Sequence, residues 1–276
     1  MPEADEVRLT ANRLGLALVG LPLVRAELRW PSVAGVNLVG AAVIESVSYG
    51  KHLLTRFDDG RTLHTHLRMD GTWRVARPGT PGAAGRAHTV RAVLGTEKWT
   101  CIGESLGMMD VVRTRDERRL IGHLGPEILA PDFAQVGVFE AEQRLARLSD
   151  QPLSRALLDQ RVVAGIGTIW MAESLYQLRL WPWTLVADTD KAMRLTLLNI
   201  AASRIANSVE LATSHGFSAV PCYVYGQLGK PCTRCGTRIK IAGQSGPTTK
   251  PDQGTGERIV HWCPTCQPNP TSPPGG

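Results

Sequence analysis

Two pairs of cysteines near the C-terminus have the spacing of a metal site. Cys232 and Cys235 form one Cys-x-x-Cys pair, and Cys263 and Cys266 form the other. Four thiolates are the ligand set of a closed tetrahedral zinc site, and each pair fits a turn that points both sulfurs at one ion. Two surface turns or a redox pair are the alternatives. The spacing predicts a zinc ribbon with one structural Zn²⁺, a module that by itself indicates no function.

The N-terminal tip combines a proline with three acids. Pro2 suits the first turn of a helix, where its missing N–H costs nothing, and the carboxylates of Glu3, Asp5 and Glu6 would face the positive end of the helix dipole. The apolar residues that follow recur at helical spacing and form one stripe: Val7, Ala11, Leu14 and Leu18. By themselves these residues predict only the beginning of an amphipathic helix.

A short turn with two glycines, Gly165 and Gly167, lies between two segments of helical periodicity. It is unlike a dinucleotide-binding loop, because position 170 is Trp and no strand precedes the turn. A glycine turn that opens a helix presents backbone N–H groups to an anion, and a nucleic-acid phosphate is one candidate. A compact helical hairpin without a ligand is an equal alternative, which the residues alone leave open.

The composition is that of a globular protein with a modest basic excess. Of the 276 residues 43% are apolar and 20% are charged, and the net charge is +6. This excess permits a polyanionic partner without requiring one. No apolar run reaches the roughly 18 residues of a membrane span, and the acidic N-terminus is unlike a signal peptide. We expect a cytoplasmic protein without a disulfide framework, in which Cys101 and Cys222 are ordinary buried residues.

The segments that must position these residues change in character along the chain. Residues 21–125 are mainly strands and turns, with Asp-Gly dipeptides that predict hairpins in FDDGRTLHTHL and RMDGTWRV and a break at Gly50-Lys51. Beyond HLGPEILAPDF, helical periodicity dominates in FEAEQRLARLSD, SRALLDQRVV, TIWMAESLYQL and KAMRLTLLNIAASRIANSVELA. Short strands are expected at TRIKIA and RIVHWC, separated by a turn-rich loop, AGQSGPTTKPDQGTGE.

These patterns predict an α+β, multidomain protein. We expect a β-rich N-terminal domain led by one helix (1–125), a helical domain (126–222), a zinc ribbon (223–268) and a disordered tail (269–276).

Together the motifs resemble the Fpg/Nei family of DNA glycosylases, the formamidopyrimidine-DNA glycosylase and endonuclease VIII group. They run in family order from residue 1 to about 267: MPE, Gly50-Lys51-His52-Leu53, His66-Leu67-Arg68-Met69, LLDQRVVAGIGTIWMAE and RIVHWCPTCQ. The resemblance implies a two-layer β-sandwich, a helix–two-turn–helix domain and a zinc ribbon. It also implies a bacterial, nucleoid-associated monomer that binds damaged DNA, as duplex or bubble, without a dissociable organic cofactor.

The resemblance gives the proline tip a chemical role. In this family the initiator methionine is removed, so that the amine of Pro2 is the nucleophile that attacks the damaged nucleotide. An α-amine titrates near 8 and is partly neutral at pH 7, unlike an ordinary lysine. Glu3 matches the general acid, Glu6 a supporting acid, Lys51 a phosphate-binding proton donor in β-elimination, and Arg258 the ribbon arginine linked to δ-elimination.

The remaining matched positions are implied to contact DNA. His66 and Arg68 correspond to residues on the DNA-facing hairpin, and Met69 corresponds to a side chain that fills the gap left by the everted base. Gly167 and Thr168 correspond to the phosphate-binding turn. Thr168 replaces the usual asparagine and has one hydrogen to donate instead of two, which weakens that contact or leaves it to the backbone.

The resemblance is closer to the Nei branch, since GMMDVVRTRDERRLIGHLGPE has no clear Arg-x-Phe pair of the Fpg type. We therefore expect a bifunctional DNA glycosylase and abasic-site lyase that excises oxidised pyrimidines in base excision repair. An Fpg-like enzyme directed at 8-oxoguanine and formamidopyrimidines, and a weak or inactive damaged-DNA-binding member, are the alternatives. A zinc-ribbon interaction protein would leave the proline tip and the Lys51 turn unexplained.

Overall fold

The computed structural model describes residues 2–247 and 258–270. Met1, most of the predicted ribbon loop (248–257) and most of the predicted tail (271–276) lie outside these residues. The chain forms two compact units, Met1–His123 and Leu124–Gly276. The second unit contains both the helical segment and the ribbon, which the sequence analysis separates into two domains.

The first unit consists of a helix and two antiparallel four-stranded sheets. Helix α1 is Ala4–Leu18, and a one-turn helix, α2 (Arg118–Ile121), lies near the end of the unit. One sheet has the order β1-β6-β7-β5 and the other β2-β3-β4-β8. The strands are β1 Arg25–Leu28, β2 Val43–Tyr49, β3 His52–Phe57, β4 Arg61–His66, β5 Thr72–Ala76, β6 Val90–Gly95, β7 Thr100–Glu104 and β8 Met108–Arg113.

One apolar core is shared by α1 and both sheets. It includes Leu14 of α1, Phe57 and Leu63 of one sheet, and Trp73 and Leu94 of the other. The predicted stripe on α1 is confirmed, since Val7, Ala11, Leu14 and Leu18 are all buried. Burying this stripe rather than helix propensity holds α1 in place, as is usual for a helix of this length.

Two of the predicted turns are confirmed. β2 and β3 pair across a two-residue turn, Gly50-Lys51, in which Gly50 has the positive φ that such turns favour. β3 and β4 pair across the turn that contains Asp59 and Gly60. Both turns therefore set strand register, and the first of them presents Lys51.

The hairpin prediction at Asp70-Gly71 is wrong. β4 lies in one sheet and β5 in the other, so this Asp-Gly turn carries the chain between sheets. Gly71 is required there, because a Cβ at this position would lie 2.3 Å from the carbonyl oxygen of Leu67. β5 pairs with β7 instead, which buries Trp73 in the shared core, and this burial outweighs the local turn signal.

The second unit combines helices with the ribbon. Its helices are α3 Val138–Ala146, α4 Leu153–Ala156, α5 Thr168–Gln177 and α6 Lys191–His215, with a π-helical turn at Phe133–Gly137. β9 (Lys240–Gly243) and β10 (Ile259–Trp262) pair antiparallel, which confirms the two ribbon strands. The two units also contain short 3₁₀ turns: Pro31–Val33, Pro81–Ala83, Thr114–Asp116, Val186–Asp188 and Phe217–Ala219.

The segment SRALLDQRVV is helical only at its start. α4 ends at Ala156, and the rest forms turns fixed by side chains. The Asp159 carboxylate accepts a hydrogen bond from the backbone N–H of Arg161. The Gln160 amide donates to the carbonyls of Leu158 and Ile166. These local hydrogen bonds replace the helical ones and end the helix.

Candidate functional site

The N-terminal tip is buried at the start of α1. The sequence predicts Pro2 within the first helical turn. In the structure Pro2 lies before that turn, because α1 begins at Ala4 with Glu3 as its N-cap. Pro2 is buried, and Glu3 is only 1% exposed. The carbonyl of Glu3 accepts the first helical hydrogen bond, from Val7. The proline and its neighbouring carboxylate are therefore held by a rigid element rather than by a loose terminus.

Glu6 is a second carboxyl group at this end of α1. Burial, followed by the nearby negative charge of Asp5, raises the pKa of Glu6 above its usual value. A raised pKa favours the protonated form, so this group can donate a proton at a pH nearer neutrality than a free carboxyl group can.

α1 is fixed against the strand that leads into the Lys51 turn. The Arg8 Nε donates a hydrogen bond of 2.7 Å to Ser48 Oγ, across 40 residues of sequence. Ser48 lies three residues before Lys51, which is half-buried in the turn between β2 and β3. One helix and one hairpin of the same unit thus position the predicted nucleophile and the predicted proton donor.

Four histidines form a cluster beside this turn: His52, His64, His66 and His123. The His52 Nδ1 and the His64 Nε2 are 2.8 Å apart, within hydrogen-bond distance, and their rings are stacked. His66 and His123 approach His52 edge-on, with ring centroids 5.0 and 6.4 Å away. The cluster arises because β3 and β4 place His52 opposite His66, with His64 on the same face of the sheet.

Three members of the cluster, His52, His64 and His66, are held neutral. Burial, followed by the neighbouring histidines and Arg68, lowers the pKa of His52 to about 3. Burial and then Arg68 lower the pKa of His66 to about 4. Burial also lowers the pKa of His64, although Asp110, 3.5 Å from its Nδ1, opposes the shift. At neutral pH these rings therefore supply hydrogen bonds and shape rather than positive charge.

Only His66 of this cluster is a site residue in the sequence analysis. The sequence does contain a pattern that predicts the positions of His52 and His64 in the sheet. His64 and His66 are two apart on one strand and therefore share a face, and the Asp59-Gly60 turn places His52 opposite His66. His123 follows α2 and carries no comparable signal.

Arg68 and Met69 protrude from the turn that follows β4. Arg68 has φ 57°, a left-handed conformation uncommon for a residue other than glycine, and its N–H donates to His66 Nδ1 at 2.8 Å. Within the described part of the chain its guanidinium has no hydrogen-bond or ion-pair partner. Met69 is 58% exposed. A strained backbone that presents a free cation and an apolar side chain suits an anionic, stacked ligand.

Gly107 shapes the position of Arg68. A Cβ at residue 107 would lie 2.1 Å from the Arg68 Cγ, so the arginine stem occupies the space that only glycine leaves. The Gly107 N–H also donates to the carbonyl of His66. This residue is absent from the sequence analysis, and no local pattern distinguishes it from an ordinary turn glycine.

In the second unit, the two-glycine turn opens α5. Gly167 is the N-cap and Thr168 the first helical residue, and both are buried. Gly165 has φ 123°. The Gln160 side chain closes the turn, because its Oε1 accepts from the N–H of Gly165 at 3.0 Å while its amide donates to Ile166 O. Gln160, which the sequence analysis does not name, therefore fixes the backbone that a phosphate would meet.

The ribbon brings the four cysteines together. The sulfurs of Cys232, Cys235, Cys263 and Cys266 all lie within 4.8 Å of one another, and two of the sulfur–sulfur distances between the pairs are 3.8 and 3.4 Å. Four sulfurs at about 2.3 Å from a tetrahedral zinc ion are about 3.8 Å apart. The donor set and its dimensions thus fit one zinc ion. Arg258 is exposed immediately before β10 in the same ribbon.

Turns of the expected kind hold each cysteine pair. Backbone N–H groups of Arg234 and Cys266 donate to the sulfurs of Cys232 and Cys263, each at 3.4 Å. Such hydrogen bonds stabilise thiolates, the form that binds a metal. Of the other two cysteines, Cys101 is buried as expected, whereas Cys222 is only partly buried, because it lies in the loop before the ribbon and not in the core.

A tyrosine of α5 joins the cysteine cluster. The Tyr176 hydroxyl is 3.1 Å from Cys232 Sγ, and the Arg234 guanidinium lies over its ring at 4.1 Å. Neither residue is a site residue in the sequence analysis, because nothing in the sequence shows that α5 packs against the ribbon.

Within residues 2–247 and 258–270, no helix has both the length and the apolar character needed to cross a membrane.

Comparisons with known proteins agree over nearly the whole chain. Residues 1–122 match the family described as the formamidopyrimidine-DNA glycosylase N-terminal domain. The "probable endonuclease 8 2" of Streptomyces coelicolor is 40% identical, across 100% of this chain and 97% of its own. A DNA-(apurinic or apyrimidinic site) lyase of Mycolicibacterium smegmatis is 36% identical, across 97% of this chain and 99% of its own.

Solved structures show the same fold. Lactococcus lactis formamidopyrimidine-DNA glycosylase, bound to DNA that contains an abasic site, superimposes with a TM-score of 0.80 at 22% identity. The alignment covers 97% of this chain and 100% of that one.

Proposed function

The chain belongs to the Fpg/Nei family of DNA glycosylases, and on that premise we propose that it removes oxidised pyrimidines from DNA through the amine of Pro2. It is a bifunctional DNA glycosylase and abasic-site lyase of base excision repair. Two relatives named endonuclease 8 are 40% and 34% identical to this chain, whereas two named formamidopyrimidine-DNA glycosylase are 28% and 31% identical. This difference supports the pyrimidine preference.

The observation that carries this proposal is the buried Pro2 immediately before the Glu3 N-cap. After removal of Met1, the lone pair of the Pro2 nitrogen attacks C1′ as the bond to the base breaks. The electrons of that bond leave with the base, which takes a proton from the Glu3 carboxyl group. The nitrogen then loses its proton, and the C1′–O4′ bond of the sugar breaks as O4′ takes up a proton, which leaves C1′ joined to Pro2 as an iminium ion. Glu6 supports these proton transfers.

The iminium ion makes strand cleavage possible. Its positive charge acidifies the C2′ proton, so loss of that proton expels the 3′ phosphate by β-elimination. Lys51 binds phosphate beside the site and donates a proton in this step. Arg258 binds phosphate and assists the second, δ-elimination, which releases the 5′ phosphate.

The exposed groups of the first unit bind the distorted DNA. The exposed guanidinium of Arg68 contacts a phosphate, and the exposed Met69 fills the gap left by the everted nucleotide. His66 donates from Nε2, because its Nδ1 accepts the Arg68 N–H. In the second unit, a phosphate binds at the start of α5, beside Gly167 and Thr168. Because Thr168 is buried, its side chain adds little to this contact.

Zinc serves structure in this proposal. Cys232, Cys235, Cys263 and Cys266 would hold one Zn²⁺, which supplies folding energy to the ribbon and takes no part in the reaction. The protein acts on damaged DNA, duplex or bubble, as a monomer in the bacterial cytoplasm.

Borohydride trapping tests the central step. Untagged protein freed of Met1 would be incubated with DNA that carries thymine glycol, 8-oxoguanine or an abasic site. Borohydride would reduce the iminium ion to a stable adduct, and mass spectrometry would identify the residue that carries it. We expect an adduct at Pro2, formed fastest with thymine glycol. A matched protein that retains Met1 should form none, because its proline nitrogen is an amide.

Each outcome has a definite meaning. Preferential trapping with 8-oxoguanine would replace the pyrimidine proposal with the Fpg-like alternative. Trapping at the abasic site alone would reduce the activity to that of a lyase, the activity in the name of the Mycolicibacterium relative. An adduct at any residue other than Pro2, or full activity of the Met1-retaining protein, would overturn the assigned nucleophile.

A further inference from the structure

Helix α5 is attached to the ribbon by two side chains on one of its faces. Glu173 is fully buried, and its carboxylate accepts hydrogen bonds from the backbone N–H groups of Tyr223, Val224 and Tyr225, the segment that leads into the ribbon. Arg204 of α6 pairs with the same carboxylate at 3.2 Å. Three residues further along α5, and therefore on the same face, lies Tyr176.

Tyr176 contacts the metal site itself. Its side chain is 1% exposed, and its hydroxyl is 3.1 Å from the sulfur of Cys232. Arg234, from the turn between Cys232 and Cys235, covers the tyrosine ring and donates a hydrogen bond of 2.6 Å to its carbonyl. The first cysteine turn is thus attached to the last turn of α5 through one residue.

The direction of the hydroxyl–sulfur hydrogen bond follows from metal chemistry. A cysteine bound to zinc is a thiolate with no proton to donate, so the Tyr176 O–H is the donor. Donation withdraws electron density from the sulfur and orients it toward the ion. Partners of this kind commonly change metal affinity by about 10–100-fold when they are removed.

The other end of α5 is the two-glycine turn. The helix has ten residues, about 15 Å, and Gly167 is its N-cap. An α-helix of this length moves as a rigid element, so a displacement of its last turn by the ribbon also displaces the N–H groups at its first turn. Tyr176 therefore lies where the metal site and the phosphate-binding turn can influence each other.

We propose that Tyr176 is a positioning residue that donates a hydrogen bond to the Cys232 thiolate, and so couples metal retention in the ribbon to DNA binding at the Gly165–Thr168 turn. This inference rests on the zinc site and the phosphate-binding turn of the proposed function. It adds a residue that slows zinc loss and adjusts DNA affinity without touching the reacting atoms.

The test compares Tyr176→Phe with Tyr223→Phe in the full-length protein loaded with zinc. Tyr223 stacks on Tyr176, with ring centroids 6.1 Å apart, so its variant is a matched control that leaves the bond to sulfur intact. Zinc content would be measured first, and then the rate of zinc transfer to a colorimetric chelator. We expect both variants to hold one zinc, with transfer about tenfold faster from Tyr176→Phe only.

A spectroscopic readout separates the hydrogen bond from a packing effect. In protein loaded with Co²⁺ in place of zinc, the thiolate-to-metal absorption band should move to longer wavelength in Tyr176→Phe, because the sulfur regains electron density. The dissociation constant for duplex DNA with a tetrahydrofuran abasic analogue should rise several-fold in this variant. Hydrogen exchange of the backbone amides of residues 165–168 should be faster.

The possible failures are distinguishable. A wild-type protein purified without zinc, and unable to bind it, would overturn the zinc site and this inference together. One zinc per chain, with equal transfer rates and identical Co²⁺ spectra in the two variants, would overturn the role of Tyr176 and leave the zinc site in place. Faster zinc transfer with unchanged DNA affinity would overturn the coupling.

Discussion

The histidine cluster of the first unit and the cysteine cluster of the second each gather four side chains that can bind metals. Among the described residues, only the cysteines have ligand atoms arranged around one point, all within 4.8 Å of one another. The histidines instead contact one another: His52 and His64 share a hydrogen bond of 2.8 Å, and the backbone N–H of Arg68 donates to His66.

This difference shows how the two side chains behave when they are brought together. A neutral imidazole carries one donor and one acceptor, so two rings can form a stable pair without an ion. Thiols are weak donors and acceptors, and four of them in close contact gain most when a cation replaces their protons. We conclude that the first cluster shapes a surface, whereas the second has the ligand set and the geometry of a metal site.

The largest expected effect is at the cysteines. Cys263→Ser should abolish zinc binding and disorder the ribbon, since structural zinc sites contribute about 10–16 kcal/mol to folding. DNA affinity should fall at least tenfold, while the first unit keeps its fold. Zinc content, Trp fluorescence and a DNA-binding isotherm would measure this, with Cys222→Ser as the control that retains one zinc. Zinc bound by Cys263→Ser with the affinity of the wild type would mean that Cys263 is not a ligand, and the comparison would be wrong.

An intermediate effect is expected when pH titrates the histidines. The pKa of His52 is about 3 in the folded protein and near 6.5 in the unfolded chain, so below pH 6.5 the unfolded chain binds more protons. Stability should therefore fall as pH decreases from about 6.5 toward 3, by about 2 kcal/mol at pH 5 for this residue. Urea unfolding at pH 7 and pH 5 would measure the loss.

Two variants isolate the contribution of the cluster. His52→Gln should show a shallower pH dependence than the wild type, whereas His88→Gln, at an exposed position, should match it. Identical slopes for His52→Gln and the wild type would show that the cluster is not held neutral, and the contrast with the cysteines would disappear.

The smallest expected effect is at the edge of the histidine cluster. Arg68→Gly removes a side chain from a left-handed backbone and should change stability by only about 1 kcal/mol, in the stabilising direction. DNA binding should weaken several-fold, with the salt dependence reduced by about one phosphate contact. Gly107→Ala is the matched variant, since its Cβ displaces the arginine without removing the charge.

If Gly107→Ala bound DNA as the wild type does, the position of the Arg68 guanidinium would not matter. If Arg68→Gly bound DNA unchanged at low salt, the guanidinium would have no phosphate contact. Thermal unfolding and titration of labelled duplex at two salt concentrations distinguish these cases.

Sequence patterns predicted the elements whose cause is local. The stripe on α1, the turns at Gly50-Lys51 and Asp59-Gly60, the two ribbon strands and the paired cysteines all follow from residues a few positions apart. The family resemblance adds Pro2, Glu3, Lys51 and Arg258 as site residues, and their roles stay predictions. The failure at Asp70-Gly71 is instructive, because the dipeptide determined a turn but not the partner of the next strand.

The tertiary structure alone decided which distant residues meet. Packing within the first unit placed His123 beside His52, α5 packing brought Tyr176 to Cys232, and the turn around Gly107 left room for the Arg68 stem. A sequence determines by itself what depends on neighbours along the chain, because backbone geometry fixes their spacing. Contacts between remote segments depend on which apolar surfaces are buried together, a property of the whole chain.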